Sequence, residues 1–414
     1  MTAPPHSPHD APGAGAGEVR FAVVGAGYIG RHHAAVIGAT PGMRLTAVVD
    51  VVPELAEALA DQVEAETGQR PTAHADVAGA LAGGGVDAVA VCVPSGLHAD
   101  VAVTALEAGR HVVLEKPLEV TVGAGRRVAA AAAAAAPGAL ATVISQHRYD
   151  PASQVVHRAV AAGRLGRLTS AVASLSWWRG QGYYDSGDWR GTWAFDGGGA
   201  LMNQGVHTLD LLLWFMGRPV QVHAHTALLA HERVEVEDTV VATITFESGA
   251  LAVLHATTAA YPGTSARLQV NGTAGSAIID DDELLYFHAA DAADGSTPVS
   301  DYGATGTSGP LNQAAAELAT VPATGVAGVV SPLGGARMIE GQSRQYADVA
   351  ACIRTGRPPL VTVDQALLAL AAVRAVYRSA ATGAPVLLDD VLADPDDVPG
   401  APGGVARQPA GARS

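Results

Sequence analysis

Lys116 is the single lysine of a 414-residue chain whose 25 basic residues are otherwise arginines. A guanidinium stays charged at any working pH, whereas a lysine amine can be tuned by burial and can share a proton. A position kept as the titratable amine is therefore a candidate for catalysis, with a charge left at a strand end by an arginine-rich composition as the alternative. It stands in Glu115-Lys116-Pro117, directly after the apolar run His111-Val112-Val113-Leu114.

A second chemical grouping lies in Gly197-Gly198-Gly199-Ala200-Leu201-Met202-Asn203-Gln204-Gly205-Val206-His207-Thr208-Leu209-Asp210. On a helix, Asn203, His207 and Asp210 project from one face, and Leu209, Leu212, Leu213 and Met216 supply an apolar face opposite. An imidazole presented this way can exchange a proton with a substrate hydroxyl near neutral pH. The alternative is a helix histidine supported by Asp210 inside a packed interface. The glycine triplet lets a ligand or a second domain's backbone approach the helix start.

The elements that must position these groups begin with alternating strand and helix patterns. Strands are expected over 19–24, 45–49, 86–93 and 111–114, and helices over 28–37, 53–67, 97–108 and 121–136. Continuous apolar strands separated by helices imply a doubly wound parallel sheet covered on both faces. Its first turn reads Gly25-Ala26-Gly27-Tyr28-Ile29-Gly30, and Asp50 closes the next strand 20 residues after Gly30. In this fingerprint Gly25 makes the tight turn, Gly27 clears space for a pyrophosphate, and the helix N-terminus supplies N–H donors. A carboxylate at the position of Asp50 takes the ribose hydroxyls. Val51, Val52, Pro53 and Glu54 follow it, with no cation for a 2′-phosphate, so NAD is expected rather than NADP.

From about residue 139 the pattern changes to strands joined by short turns, over 142–147, 169–177, 220–226, 239–246, 250–257, 266–270, 277–280 and 284–287. These imply a large, mostly antiparallel open sheet in a C-terminal α/β domain. Helices are expected over 151–162, 200–216, 342–354 and 364–382. The expected organisation is a disordered tail over 1–18, a dinucleotide-binding domain over 19–140, and a substrate and oligomerisation domain over 141–388. Residues 289–336, rich in small residues and proline, form a loop or insertion, and 389–414 a second disordered tail.

A formal charge of −15 and a pI near 5.4 argue against nucleic acid as the partner. No stretch has membrane-spanning length and character, and the N-terminus carries no export pattern, so a cytoplasmic enzyme is expected. Cys92 and Cys352 build no disulfide framework, and no metal is expected.

The glycine motif, Pro94 with His98, Ala108-Gly109-Arg110-His111-Val112 leading into Glu115-Lys116-Pro117, and the glycine triplet with His207 together resemble the Gfo/Idh/MocA oxidoreductases. The resemblance runs from about Val19 to about Ala380. It implies a Rossmann domain, a C-terminal domain whose open sheet mediates homodimers or homotetramers, and a substrate cleft between them. It implies that Lys116 lies beside the nicotinamide and the reacting hydroxyl, and that His207 accepts or donates the proton. Ser95, His98 and Glu115 join Gly25, Gly27, Tyr28, Ile29, Gly30, Asp50 and Lys116 as implied cofactor contacts. In the inositol-dehydrogenase pattern an aspartate stands four residues before the histidine, whereas this chain has Asn203. An amide cannot take a proton, so either Asp210 supports the ring or Lys116 carries more of the transfer.

Four of the five tryptophans, with two arginines, fall within 177–193. Aromatic faces pack on sugar rings, and arginine forks hold carboxylate or phosphate. The alternative is an aromatic patch in an oligomer interface. Tyr184, Trp189 and Arg190 join Asn203 and Asp210 as expected substrate contacts. The run Trp189-Arg190-Gly191-Thr192-Trp193 before the glycine triplet resembles family members acting at C3 of nucleotide-linked amino-sugar uronates. The expected activity is hydride transfer between nicotinamide and a secondary hydroxyl of a sugar or cyclitol. Competing readings are a non-catalytic, NAD-bound sugar sensor and an NAD-dependent glycosidase.

Overall fold

The computed structural model describes residues 18–136, 138–290, 312–322, 336–394 and 406–407. Its first part runs β1 (Val19–Val24), α1 (Tyr28–Ala39), β2 (Met43–Val49), α2 (Pro53–Thr67), β3 (Thr72–His74), α3 (Val77–Ala82), β4 (Ala88–Val91), α4 (His98–Glu107), β5 (His111–Leu114), α5 (Val122–Ala134) and β6 (Ala141–Val143). The strands form one parallel sheet in the order β3-β2-β1-β4-β5-β6. Phe21 and Val23 enter one apolar core while Ala22 and Val24 enter the other, and Val48 is split from Ala47 and Val49 in the same way. With helices on both faces, neither side of a strand can be polar, which is why these strands read as unbroken apolar runs. The strand order reverses between β1 and β4, the switch point beyond whose C-terminal strand ends such sheets bind ligands.

The second part contributes α6 (Pro151–Ala161), β7 (Leu168–Ser176), α7 (Gln181–Tyr184), a π-helical turn (Leu201–Gly205), α8 (Val206–Met216), β8 (Pro219–Leu228), β9 (Thr239–Phe246), β10 (Leu251–Thr257), β11 (Ala266–Gly272), β12 (Gly275–Asp280) and β13 (Glu283–Ala289). It is completed by α9 (Ala314–Leu318), α10 (Ala336–Thr355), α11 (Val363–Thr382), β14 (Val386–Leu387), α12 (Leu388–Ala393) and β15 (Ala406–Arg407). The sheet order is β13-β12-β11-β7-β10-β9-β8-β14, with β15 also on β8. Only the β7–β10 and β8–β15 pairs are parallel. The face packed on α8 and α11 is apolar, while Val172, Val241, Leu251 and Val253 stand exposed on the other. A capping box between Thr362 and Gln365 starts α11, which then packs on α5 of the first domain.

Several expectations are corrected. The strand expected over 142–147 is β6, which pairs with β5 in the first sheet, so the chain leaves that sheet later than residue 140. Strand β3 and helix α3 carry too little apolar periodicity to be read from sequence. Within 289–336, α9 is helical and packs on β13, tied by Arg164 to Glu317. Helix α10 starts at Ala336 and sends Tyr346, Val349 and Cys352 into the same core as Phe21, so it braces the first domain. The tail expected from 389 begins instead with α12, whose C-terminal carbonyls at Leu392 and Asp394 accept from Arg126 at 2.7 and 2.6 Å. The expectations for 1–17, 291–311, 323–335, 395–405 and 408–414 lie outside the described residues.

Candidate active site

The glycine loop at the end of β1 meets the demands of a dinucleotide. Gly25 has φ +98°, and a Cβ there would lie 2.6 Å from the Cys92 carbonyl oxygen; one on Gly30 would lie 1.8 Å from that of Gly25. The protein's own packing therefore requires both glycines. A Cβ on Gly27 would meet nothing within 4 Å, so that glycine leaves open space where a pyrophosphate would approach. No side chain caps α1, whose positive N-terminal end follows Gly27 and faces the side from which a pyrophosphate would approach. Asp50 is anchored at the end of β2 by accepting from Ala26 N at 2.8 Å and Val52 N at 2.9 Å. The residues present thus fit NAD.

At the end of β5, Glu115 turns inward. Its carboxylate lies 2.8 Å from His33 Nε2 and accepts from Lys116 N at 2.9 Å and Gln342 Nε2 at 3.3 Å. Burial opposes its charge, but His33 and Lys116 hold it down to about 2. His98 is 1% exposed, with its ring nitrogens 2.8 Å from the Pro117 carbonyl and 3.0 Å from that of Val93. The side chains of Glu115 and His98 are thus spent inside the protein, contrary to their expected place as cofactor contacts, and instead fix the backbone that carries Lys116. Ser95 is buried at the start of a turn whose Gly96 N donates to Phe195 O at 3.2 Å, where the two domains meet.

Lys116 Nζ reaches across to the second domain and donates to the Asn203 carbonyl at 3.2 Å. Asn203 is placed by the glycine triplet. A Cβ on Gly197 would lie 3.0 Å from Val120 Cα, one on Gly198 2.1 Å from the Tyr377 hydroxyl, and one on Gly199 1.7 Å from Glu237 O. Buried Glu237 accepts from Gly199 N at 2.8 Å, Leu201 N at 3.0 Å and the Tyr377 hydroxyl at 3.1 Å, and burial pushes it up to about 7. The π turn that follows widens the helix between Asn203 and His207. His207 has no protein partner on its ring nitrogens among the described residues. Burial lowers its basicity far below the ordinary value, helped by His147 and Lys116, so its imidazole is neutral.

Asp210 does not support His207. Both of its oxygens accept from Arg148, Nε at 2.7 Å and Nη2 at 2.6 Å, and Ser145 Oγ donates to it as well. The pair is buried, with side chains 3% and 10% exposed, so Asp210 is a structural ion and not a substrate contact. The carboxyl near Lys116 is that of Asp196, which the sequence reading missed. Burial raises it to about 6 against the pull of Gly191 N, which donates to it at 2.6 Å, and of Arg190 and Lys116. Its only sequence signal is its place directly before the glycine triplet.

Tyr184 is buried among Leu228 and Val234 with its hydroxyl 2.8 Å from Thr258 Oγ1, so it faces a small core rather than a cleft. Its neighbour Tyr183 faces the π turn instead. Gln204, on the π turn, donates to the Tyr183 hydroxyl at 3.2 Å. Arg190 Cζ lies 4.5 Å from the Tyr183 ring centroid and 4.3 Å from that of Trp189, and Arg179 Cζ 5.4 Å from Tyr183. Among the described residues neither arginine forms an ion pair with a carboxylate, which leaves two guanidinium forks stacked on aromatic rings beside the helix that carries Asn203.

The comparisons with known proteins agree with this architecture. A model described as "Oxidoreductase family, NAD-binding Rossmann fold" matches residues 19–138, and one for the "GFO/IDH/MocA C-terminal domain" matches 153–278. The chain is 30% identical over 270 residues to an uncharacterized oxidoreductase, YrbE, of Bacillus subtilis, covering 62% of this chain and 72% of that protein. It is 26% identical over 377 residues to the scyllo-inositol 2-dehydrogenase (NAD+) of the same organism, covering 90% and 97%. Among solved structures, the WlbA dehydrogenase from Bordetella pertussis, in complex with NADH and UDP-GlcNAcA, is similar at 31% identity and a TM-score of 0.73, covering 90% of this chain and 98% of that one.

Proposed function

This chain belongs to the Gfo/Idh/MocA family of NAD-binding oxidoreductases, and from that premise we propose that it oxidises or reduces C3 of a nucleotide-linked sugar. The coarser activity, an NAD-binding oxidoreductase of the sugar and cyclitol dehydrogenase type, follows from the family and its relatives. The observation that carries the catalytic assignment is the meeting of Lys116 Nζ with the Asn203 backbone at 3.2 Å, one helical turn from a neutral His207. When bound, NAD supplies the hydride acceptor.

Lys116 holds the substrate oxygen with the N–H donors not given to Asn203, and stabilises it as alkoxide character develops. His207, neutral and with no hydrogen-bond partner on its ring nitrogens among the described residues, takes the hydroxyl proton in the oxidative direction. Glu115 and His98 act by holding the Lys116 backbone still, and Glu237 by holding the glycine triplet. The forks of Arg179 and Arg190, neither in an ion pair with a carboxylate among the described residues, support an anionic substrate. The exposed Val172, Val241, Leu251 and Val253 on the open sheet support packing against a second copy, as a homodimer or homotetramer.

The test compares initial rates of NAD reduction with UDP-GlcNAcA and with scyllo-inositol, in the unmodified protein and in Arg190→Ala. A preference for the nucleotide sugar that collapses in the variant supports the reading. Equal or better turnover of scyllo-inositol, unchanged by the substitution, moves the substrate to the cyclitols.

A further inference from the structure

His147 lies in the short turn Gln146–Tyr149 after β6. Its ring is set edge-on to that of His207, with centroids 5.1 Å apart and an interplanar angle of 71°. On its other side, Nδ1 is 2.8 Å from Asp282 Oδ1 and 3.1 Å from Asp150 Oδ2. These carboxylates come from different elements. Asp150 stands at the N-cap of α6 but does not cap it, and its carboxylate faces His147 and Arg344 instead. Asp282 sits in the β12–β13 turn, where Asp281 and Asp282 have φ +45° and +66°, a left-handed conformation that costs non-glycine residues energy. The turn thus accepts strain while delivering a carboxylate to this imidazole.

One N–H directed at two carboxylates favours the charged ring, because two anions beside Nδ1 stabilise imidazolium over imidazole. The charges acting on the pair are Asp150 with Arg344 behind it, Asp282 from the sheet, and Lys116 and Glu115, which act on His207. Burial opposes charge on His147, but Asp150 and Asp282 outweigh it and push the ring up to about 10.

We propose that His147 is a positioning residue: clamped by Asp150 and Asp282, it presents a fixed positive charge to His207, keeps His207 in its proton-accepting form, and so sets the acid limit of substrate oxidation. This rests on the reading of His207 as proton acceptor. The sign follows directly. Oxidation needs neutral His207, a neighbouring cation disfavours its protonation, and removal of that cation moves the acid limb of the rate profile to higher pH. Two unit charges about 5 Å apart in a partly solvated site correspond to a displacement of about one pH unit.

The experiment measures kcat/KM against pH for His147→Gln and His147→Arg, with NAD affinity and thermal melting as checks on folding. The account expects His147→Gln to move the acid limb up by about one unit, while His147→Arg, which keeps a permanent cation, leaves it near its original position. A uniform loss of rate in both variants without displacement of the limb, or an equal displacement in both, overturns it. A second measurement holds even where neither variant folds or no sugar turns over. Nitrogen-15 chemical shifts of the imidazoles in the unmodified protein are expected to report His147 as protonated and His207 as neutral at neutral pH. A neutral His147 there overturns the proposal, whatever becomes of the substrate assignment.

Discussion

Replacement of Lys116 by arginine keeps the charge and removes the compact ammonium. Lys116 Nζ gives one donor to Asn203 O at 3.2 Å, which leaves two for a substrate oxygen. A guanidinium is longer and planar, and its fork cannot hold the Asn203 carbonyl and also converge on the point where alkoxide charge develops. Loss of one preorganised donor to an oxyanion costs about 10²–10³ in kcat, or ~3–4 kcal/mol. Gly25, Gly27, Gly30 and Asp50 lie on other strand ends, so NAD affinity stays as it was. NADH absorbance under saturating substrate gives kcat, and calorimetric titration gives the NAD dissociation constant. A Lys116→Arg protein that keeps kcat within about tenfold of the original refutes the oxyanion role, and one that loses NAD binding in parallel refutes the separation of the two sites.

Asp50→Ala weakens NAD by about tenfold or more while scarcely affecting NADP, as titration with both cofactors will report, because a carboxylate hydrogen bond to the ribose is lost only with NAD. Asp210→Asn strands Arg148 in the interior and lowers stability by ~3–5 kcal/mol in urea unfolding; lost turnover at unchanged stability would instead return Asp210 to the substrate contacts. Glu237→Gln tests a carboxyl raised by burial from its ordinary 4.5 to about 7. A raised carboxyl contributes stability below its unfolded value that is lost as pH rises through its folded value, so the wild-type melting temperature should fall between about 4.5 and 7 relative to the variant's. Parallel pH profiles for the two proteins contradict this.

The first sheet was legible because its strands are apolar on both faces and its glycine loop obeys a backbone requirement that Gly25 and Gly30 make visible at the level of single atoms. The Lys116 strand end and the His207 helix were legible for the same reason: each is a local pattern. What escaped was non-local. Asp210 shares a helical face with His207, yet its partner Arg148 is 62 residues away in sequence, and spacing cannot report an ion pair across the fold. Glu115 and His98 belong to the motif around Lys116, but their side chains turn inward to His33, Pro117 and Val93. Tyr183 and Tyr184 are adjacent, and which of them faced the helix depended on a small core formed with Leu228 and Val234. His147 and Asp196 have no pattern of their own and gain meaning only where turns from separate elements converge.

Deuterium transfer is the most direct test of the central claim that this site moves a hydride from a sugar carbon under the hold of Lys116. UDP-GlcNAcA deuterated at C3, incubated with the protein and NAD, should yield NADH carrying one deuterium by mass spectrometry, formed about 10²–10³ times more slowly when Lys116→Arg is used. Unlabelled NADH, or release of the nucleotide with no NADH formed, would contradict it.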